Sequence, residues 1–284
     1  MGEVVQVFGN PHAGTRSARR LRALARALEE QGAEVLLCES AAGVPVIDDR
    51  ATHVCVAGGD GTVRHVASAV LRGGRNVPLS LYPAGTVNLL AMEAGYPRNP
   101  RRFARMVLQG AATRPHYPVA VSEGYFFACA GVGPDSLAVD RVSPRLKRAI
   151  GRLAYAVAAA RLLWAWPRHR IALDHPGGHL ECEAFYVAKG RYYGGRWSFA
   201  KEARVHEPVL HVVALTTARR RDYARFLWAL LRHADPAALP FVRVFTCTTF
   251  AASSAKPLPL QADGDIVGVL PVTLALCEEP LAFC

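Results

Sequence analysis

Acidic residues are scarce in this sequence: 23 Asp and Glu stand against 34 Lys and Arg, which gives the 284 residues a formal charge of +11. An excess of that size favours anionic partners, namely a nucleotide, a nucleic acid or an acidic membrane surface. Nucleic acid is set aside because the aromatic residues are not interleaved with basic ones along any one strand face. Cysteine spacing is equally uninformative for metals. The seven cysteines are scattered, odd in number and without a C-x-x-C pair, which argues against a zinc site or a disulfide framework and for buried free thiols in a reducing compartment. No long apolar run is present. The longest helical one, Leu153 to Trp166, is interrupted by Arg161 and falls short of a bilayer span. The N-terminus opens on Val4-Val5-Gln6-Val7-Phe8 without a basic segment leading a long apolar one, so no signal peptide is expected. The expected location is the cytoplasm, in soluble form or peripherally associated with a membrane. Internal repeats and low-complexity tracts are also missing.

What the sequence has is apolar bulk. At 51% hydrophobic composition the chain can bury a sizeable core, as one large domain or two modest ones, and two fit the pattern better. Over the first hundred residues strand-like runs alternate with helical stretches. Val4 to Phe8, Glu34 to Cys38, His53 to Val56 and Val77 to Tyr82 read as strands. Leu21, Leu24, Ala25 and Leu28 recur at the spacing of a core-facing helix stripe, and a second helix is expected from Val63 to about Leu71. Such alternation predicts a parallel sheet with covered faces, whose ligands bind beyond the carboxyl ends of the strands.

Three turn sequences lie at those ends: Asn10-Pro11-His12-Ala13-Gly14, Gly58-Gly59-Asp60-Gly61-Thr62, and Pro83-Ala84-Gly85-Thr86-Val87-Asn88. Glycines there let a ligand approach the backbone, and a helix start offers unpaired N–H groups to a phosphate. The second turn is neither a G-x-G-x-x-G fingerprint nor a P-loop, since it lacks the lysine. Asp60 makes sense beside a metal ion or a transferring proton, and on spacing alone it equally reads as a helix cap. Thr86 and Asn88 alone are compatible with ordinary turn and capping roles.

Near Pro118 the pattern changes. Val119-Ala120-Val121 and the run Tyr125 to Ala130 flank a turn and read as a hairpin; helices follow from Pro134 to about Trp166. Beyond them come Arg170 to Leu173, Glu183 to Ala188, Val209 to Leu215, Val242 to Phe250 and the pieces of Leu258 through Leu276. A mostly β second domain over 119–272 is expected after an α/β domain over 1–118, with a C-terminal segment of about 273–284 free to return to the first.

Taken in order, the three turns, Gly131-Val132-Gly133-Pro134-Asp135, Gly151 to Tyr155, Tyr192 to Gly195 and the late Asp263-Gly264-Asp265 resemble the diacylglycerol kinase catalytic-domain family. That family includes sphingosine and ceramide kinases and bacterial lipid kinases. The resemblance implies a three-layer nucleotide-binding α/β domain like that of phosphofructokinases and NAD kinases, a C-terminal β-sandwich carrying a lipid site, and a cleft between them. It implies ATP- and Mg2+-dependent phosphorylation of a hydroxyl on a diacylglycerol-, ceramide- or sphingoid-type lipid. Asn10, Gly58, Gly59, Asp60, Gly61, Thr62, Arg64, Thr86 and Asn88 then hold ATP, Asp265 is the base, and Asp60 serves catalysis beside it. Asp135 joins the catalytic Mg2+ network, although after Pro134 it also reads as a helix cap. An Asp-Gly pair such as Asp263-Gly264 is by itself a hairpin turn.

Four departures qualify the resemblance. Arg64-His65 replaces the family's Asn-Glu. Pro134 stands for its Phe. Ala200 through Leu210 lacks the Asp-Gly-Leu segment that holds a structural Mg2+ in bacterial relatives, so that second site is expected to be absent. Asp265 replaces Glu and shortens the carboxylate's reach by one methylene, where ~1 Å costs about a hundredfold in rate. These departures keep open a catalytically impaired lipid- or nucleotide-binding protein of the same fold. The basic stretch Arg145 to Arg168 reads in its body as a packed amphipathic helix or a peripheral contact with an anionic membrane, and its Trp164-Trp166 end with Arg168 and Arg170 is the better membrane candidate. Oligomeric state is open, a homodimer included.

Overall fold

The computed structural model describes residues 2–9, 15–40, 43–109, 112–122, 124–141, 166 and 168–284. In chain order the first elements are β1 (Val4–Gly9), α1 (Thr15–Glu29), β2 (Glu34–Glu39), β3 (His53–Gly58), α2 (Asp60–Arg72), β4 (Leu79–Pro83), α3 (Leu89–Glu93), α4 (Pro100–Leu108) and β5 (Arg114–His116). Next come β6 (Val119–Val121), β7 (Gly124–Phe126), β8 (Cys129–Val132), α5 (Pro134–Arg141), β9 (Ile171–His175), β10 (Gly178–Cys182), β11 (Ala184–Ala188) and β12 (Leu210–Leu215). The last are α6 (Arg220–Leu231), β13 (Val242–Cys247), β14 (Thr249–Ser254), β15 (Pro259–Ala262), β16 (Asp265–Val269), β17 (Val272–Leu276) and β18 (Leu281–Phe283). Among the described residues no helix is long and apolar enough to cross a membrane.

The chain divides into two compact units. One comprises Met1–Pro118, Val205–Glu207 and Glu278–Cys284; the other comprises Val119–Arg204 and Pro208–Cys277. The returning segment is thus shorter than the expected 273–284, because β17 is hydrogen-bonded between β14 and β6 in the second unit. The return of Val205–Glu207, tied in part by the Tyr117 amide donating to the Val205 carbonyl, has no counterpart in the sequence reading.

The first unit holds a six-stranded sheet in the order β2-β1-β3-β4-β18-β5. Its pairs are parallel from β2 to β18, and β5 alone runs antiparallel. Continuous apolar runs such as Val54-Cys55-Val56 are buried on both sides of the pleat, as the strands of a covered parallel sheet require. In α1, Leu24, Ala25 and Leu28 are buried while Arg19, Arg20, Arg22 and Arg26 face water, so those arginines form a solvated face. The helix expected from Val63 starts three residues earlier, at Asp60.

The second unit is a sandwich of two antiparallel six-stranded sheets, β10-β9-β14-β17-β6-β7 and β13-β12-β11-β8-β15-β16. Their facing side chains, among them Phe126, Phe185, Val212, Ala214, Phe250 and Leu274, form one core. The second sheet is covered on its other face too, where Tyr186, Val213 and Leu215 pack under α6 residues Tyr223, Phe226 and Leu230. Two runs read as single strands are split between the sheets. Val242 to Phe250 becomes β13 and β14, and Tyr125 to Ala130 becomes β7 and β8, broken at Phe127-Ala128. β10 and α6 were not expected. The buried stripe Tyr223, Phe226 and Leu230 is the helical signal that marks α6.

Candidate active site

The carboxyl ends of β3 and β4 carry the second and third turns side by side. Gly85 N donates to the Gly58 carbonyl at 3.2 Å. A Cβ on Gly58 would lie 2.5 Å from Thr62 Cβ, and Gly85 passes Gly59 too closely to carry a side chain of its own. Gly58 and Gly85 are needed for close approach. Asn88 adopts a left-handed conformation, φ 58 and ψ 57, which Asn tolerates better than most residues. Its side chain closes the turn both ways: Nδ2 donates to the Gly85 carbonyl and Oδ1 accepts from Gly85 N, each at 2.8 Å.

Asp60 ties the two turns together. Its Oδ2 accepts from Leu89 N at 3.0 Å and its Oδ1 from Leu90 N at 3.1 Å, so it satisfies the first amides of α3. Burial pushes the carboxyl above its ordinary value, and the two amides pull it back. Asp60 therefore caps a helix, although α3 rather than the one it begins. At the start of α2, Gly59 offers no capping side chain, and the first amides of a helix are a place for a phosphate. Thr62 is half-buried there and Thr86 is exposed on the neighbouring turn. Arg64 is half-buried one turn into α2, while His65 Nε2 lies 2.9 Å from the Gly43 carbonyl. Asn10 lies outside the described residues.

In the second unit, Asp263 and Gly264 form the two-residue turn between β15 and β16, both with positive φ (48° and 90°). The hairpin and the motif are one object. The buried Asp263 carboxylate accepts from three amides, Phe127 N at 2.8 Å, Ala128 N at 2.9 Å and Cys129 N at 3.1 Å. That clamp is what ends β7 and starts β8 in the other sheet. Asp265 is the first residue of β16, paired with Ala262 and half-buried.

Asp135 opens α5, which packs against β15 and β16. Its Oδ2 accepts from the Tyr193 hydroxyl at 2.7 Å, and Tyr186 and Tyr223 join the cluster through a 3.1 Å hydroxyl contact. Burial raises the Asp135 carboxyl, with the Tyr193 bond opposing it, and holds both Tyr186 and Tyr193 well above the usual phenol range. Asp135, expected in the catalytic Mg2+ network, accepts from a tyrosine hydroxyl through Oδ2, and no group of three or more His, Cys, Asp or Glu gathers among the described residues. The membrane reading of Trp166 is corrected. Its indole donates to the Ala218 carbonyl at 2.7 Å and packs on Tyr223, and Arg168 pairs with Glu183. Trp164 lies outside the described residues.

Sequence reasoning missed the Asp263 clamp, the Leu89 and Leu90 amides facing Asp60, and Lys189. Lys189 is fully buried just past the end of β11, with Nζ 3.2 Å from the Arg204 carbonyl. A lysine ending an apolar strand was the available signal.

Residues 4–117 match the diacylglycerol kinase catalytic domain, and residues 128–283 match the YegS C-terminal NAD kinase β-sandwich-like domain. The chain belongs to this lipid kinase family. A probable lipid kinase YegS-like protein of Pseudomonas aeruginosa is 30% identical over 210 residues, 73% of this chain and 68% of that one. A Pseudomonas putida protein of the same description is 30% identical over 166 residues, 58% of this chain and 56% of its own length. The match thus spans a little over half of the latter relative. A solved diacylglycerol kinase from Bacillus anthracis shares the fold at a TM-score of 0.78 and 16% identity, over 99% of this chain and 96% of that one.

Proposed function

We propose that this member of the lipid kinase family transfers the γ-phosphoryl group of ATP to a hydroxyl of a diacylglycerol-, ceramide- or sphingoid-type lipid. The observation that carries the reading is the paired turn: Gly59 against Gly85, pinned by Asp60, with no side-chain cap at the start of α2 at the ends of parallel strands. Phosphoryl transfer asks mainly for positioning and charge stabilisation, and such a turn supplies both.

In this reading Gly58, Gly59, Gly61 and Thr62 hold phosphates with their amides, Thr86 contributes its exposed hydroxyl, and Arg64 and Asn10 add nucleotide contacts. Asp60 and Asn88 are positioning residues, since their polar atoms hold the turns. Asp265 takes the proton of the lipid hydroxyl as its oxygen bonds to the γ-phosphorus and ADP leaves. Asp263 fixes the hairpin that carries Asp265. Asp135, whose Oδ2 accepts from Tyr193, is the carboxylate offered to the Mg2+ network, while both oxygens of Asp60 are engaged by amides. Mg2+ enters with ATP as part of the substrate, bound mostly through phosphate oxygens and water.

The test is purified protein with radiolabelled ATP and a panel of lipid acceptors. Label in a chloroform-soluble product supports the kinase. Bound ATP with no labelled product across the panel favours the impaired binding protein, which the Asp265 replacement and the engaged Asp60 motivate.

A further inference from the structure

α6 is apolar on two opposite faces. Tyr223, Phe226, Ala229 and Leu230 are buried, the two aromatics and Leu230 against the second sheet of the sandwich. On the other side Ala224, Leu227, Trp228 and Leu231 recur at i, i+3, i+4 and i+7 and are exposed, the last three by 39%, 61% and 52%. A helix bordering water ordinarily carries polar residues on that side. A contiguous apolar stripe with a tryptophan marks an interaction surface.

The stripe is bordered by one sign of charge. Arg219, Arg220 and Arg221 stand at its N-terminal end, Arg225 alongside and Arg232 at its C-terminal end, all exposed. Arg225 lies over the Phe241 ring and Arg232 over the Trp228 ring, 5.6 and 5.7 Å from the centroids. Asp222, the helix's acid, is buried; it accepts from the Thr217 hydroxyl at 2.8 Å and lies 3.7 Å from Arg221 Nε. Three arginines at the positive end of a helix oppose its dipole, and Arg219 supplies no capping bond. The arrangement sacrifices local stability and suits an external anionic surface. A second copy of the chain would set two cationic borders against each other.

We propose that α6 is a membrane-docking face, with Leu227, Trp228 and Leu231 entering the boundary of headgroups and acyl chains while the bordering arginines meet anionic lipid phosphates. Tryptophan and leucine on one face and arginine beside them are the elements of interfacial binding. The inference adds to the lipid-kinase reading a place where the enzyme meets its substrate's bilayer, and its test does not require turnover.

The full chain is sedimented with vesicles of phosphatidylcholine alone or mixed with phosphatidylglycerol. Expected are partition onto the anionic vesicles, loss at high salt, and a drop of about tenfold or more in partition for the double variant Leu227→Glu, Leu231→Glu. Arg220→Gln with Arg221→Gln should lower the preference for anionic lipid. Unchanged thermal midpoints and ATP affinity show that both variants are folded. Wild-type partition in the double variant overturns the proposal, as does equal binding to neutral vesicles in high salt. A dimer that dissociates in the double variant, without vesicle binding by the wild type, assigns the face to a second copy and also overturns it. Vesicle binding through α6 without any labelled lipid leaves docking standing and removes the kinase reading alone.

Discussion

A Cβ built on Gly85 would lie 2.5 Å from the Cα of Gly59 and 2.8 Å from its nitrogen. No substitution at Gly85 fits without moving the turn that begins α2. Gly85→Ala should therefore weaken ATP binding by at least about tenfold and lower kcat by about a hundredfold, the cost of a displacement of ~1 Å at a reacting centre. Gly124→Ala, whose Cβ would find its nearest neighbour at 3.9 Å, serves as the control and should leave both unchanged. Calorimetric titration with ATP and a steady-state assay check the pair.

Asp60 and Asp265 should separate in their effects. Asp60→Ala leaves the Leu89 and Leu90 amides without their acceptor, with a stability loss of about 2 kcal/mol and loss of ATP affinity. Asp265→Ala should abolish turnover while ATP affinity and thermal midpoint hold. Asp265→Glu should restore or raise the rate, because the longer side chain recovers one methylene of reach. Near-normal turnover in Asp265→Ala would remove it from the base role.

Asp263 is the opposite case from its neighbour two residues on. Asp263→Ala orphans three amides at 127–129, and should cost about 3 kcal/mol or more in a urea titration. The contrast with Asp265→Ala, which should cost little, tests the division between clamp and base.

His53 sets a pH dependence. Its Nε2 lies 2.8 Å from Ser80 Oγ, and burial lowers its pKa from 6.5 to about 4, against a weaker upward pull from Glu3. The unfolded chain binds a proton between those values and the folded one does not. Stability should fall as pH drops from about 6.5 to about 4 and level off below, by about 3 kcal/mol from this group. His53→Gln should flatten that limb in melts recorded across the window.

Much of the first unit was legible because its rules are local. The apolar runs of β1, β3 and β4 and the glycines ending them carry their own signal, so the turns stand out without reference to any distant contact. The partners of Asp60 were not, since Leu89 and Leu90 lie about thirty positions away and offer backbone, which every residue has. The break between β7 and β8 was hidden for the same reason: Phe127-Ala128 is apolar like its flanks, and the carboxylate that bends it is 136 positions on. α6 was overlooked because its second apolar face blurs the amphipathic pattern. The tyrosines around Asp135 were hidden because a carboxylate after a turn looks the same in sequence whatever meets it.

β18 fills the place between β4 and β5 in the first unit's sheet, yet it follows every strand of the sandwich in the chain. During synthesis the first unit's sheet therefore waits, with β4 as an open edge and β5 without its partner, until the whole sandwich has emerged. The unit begun first is completed last.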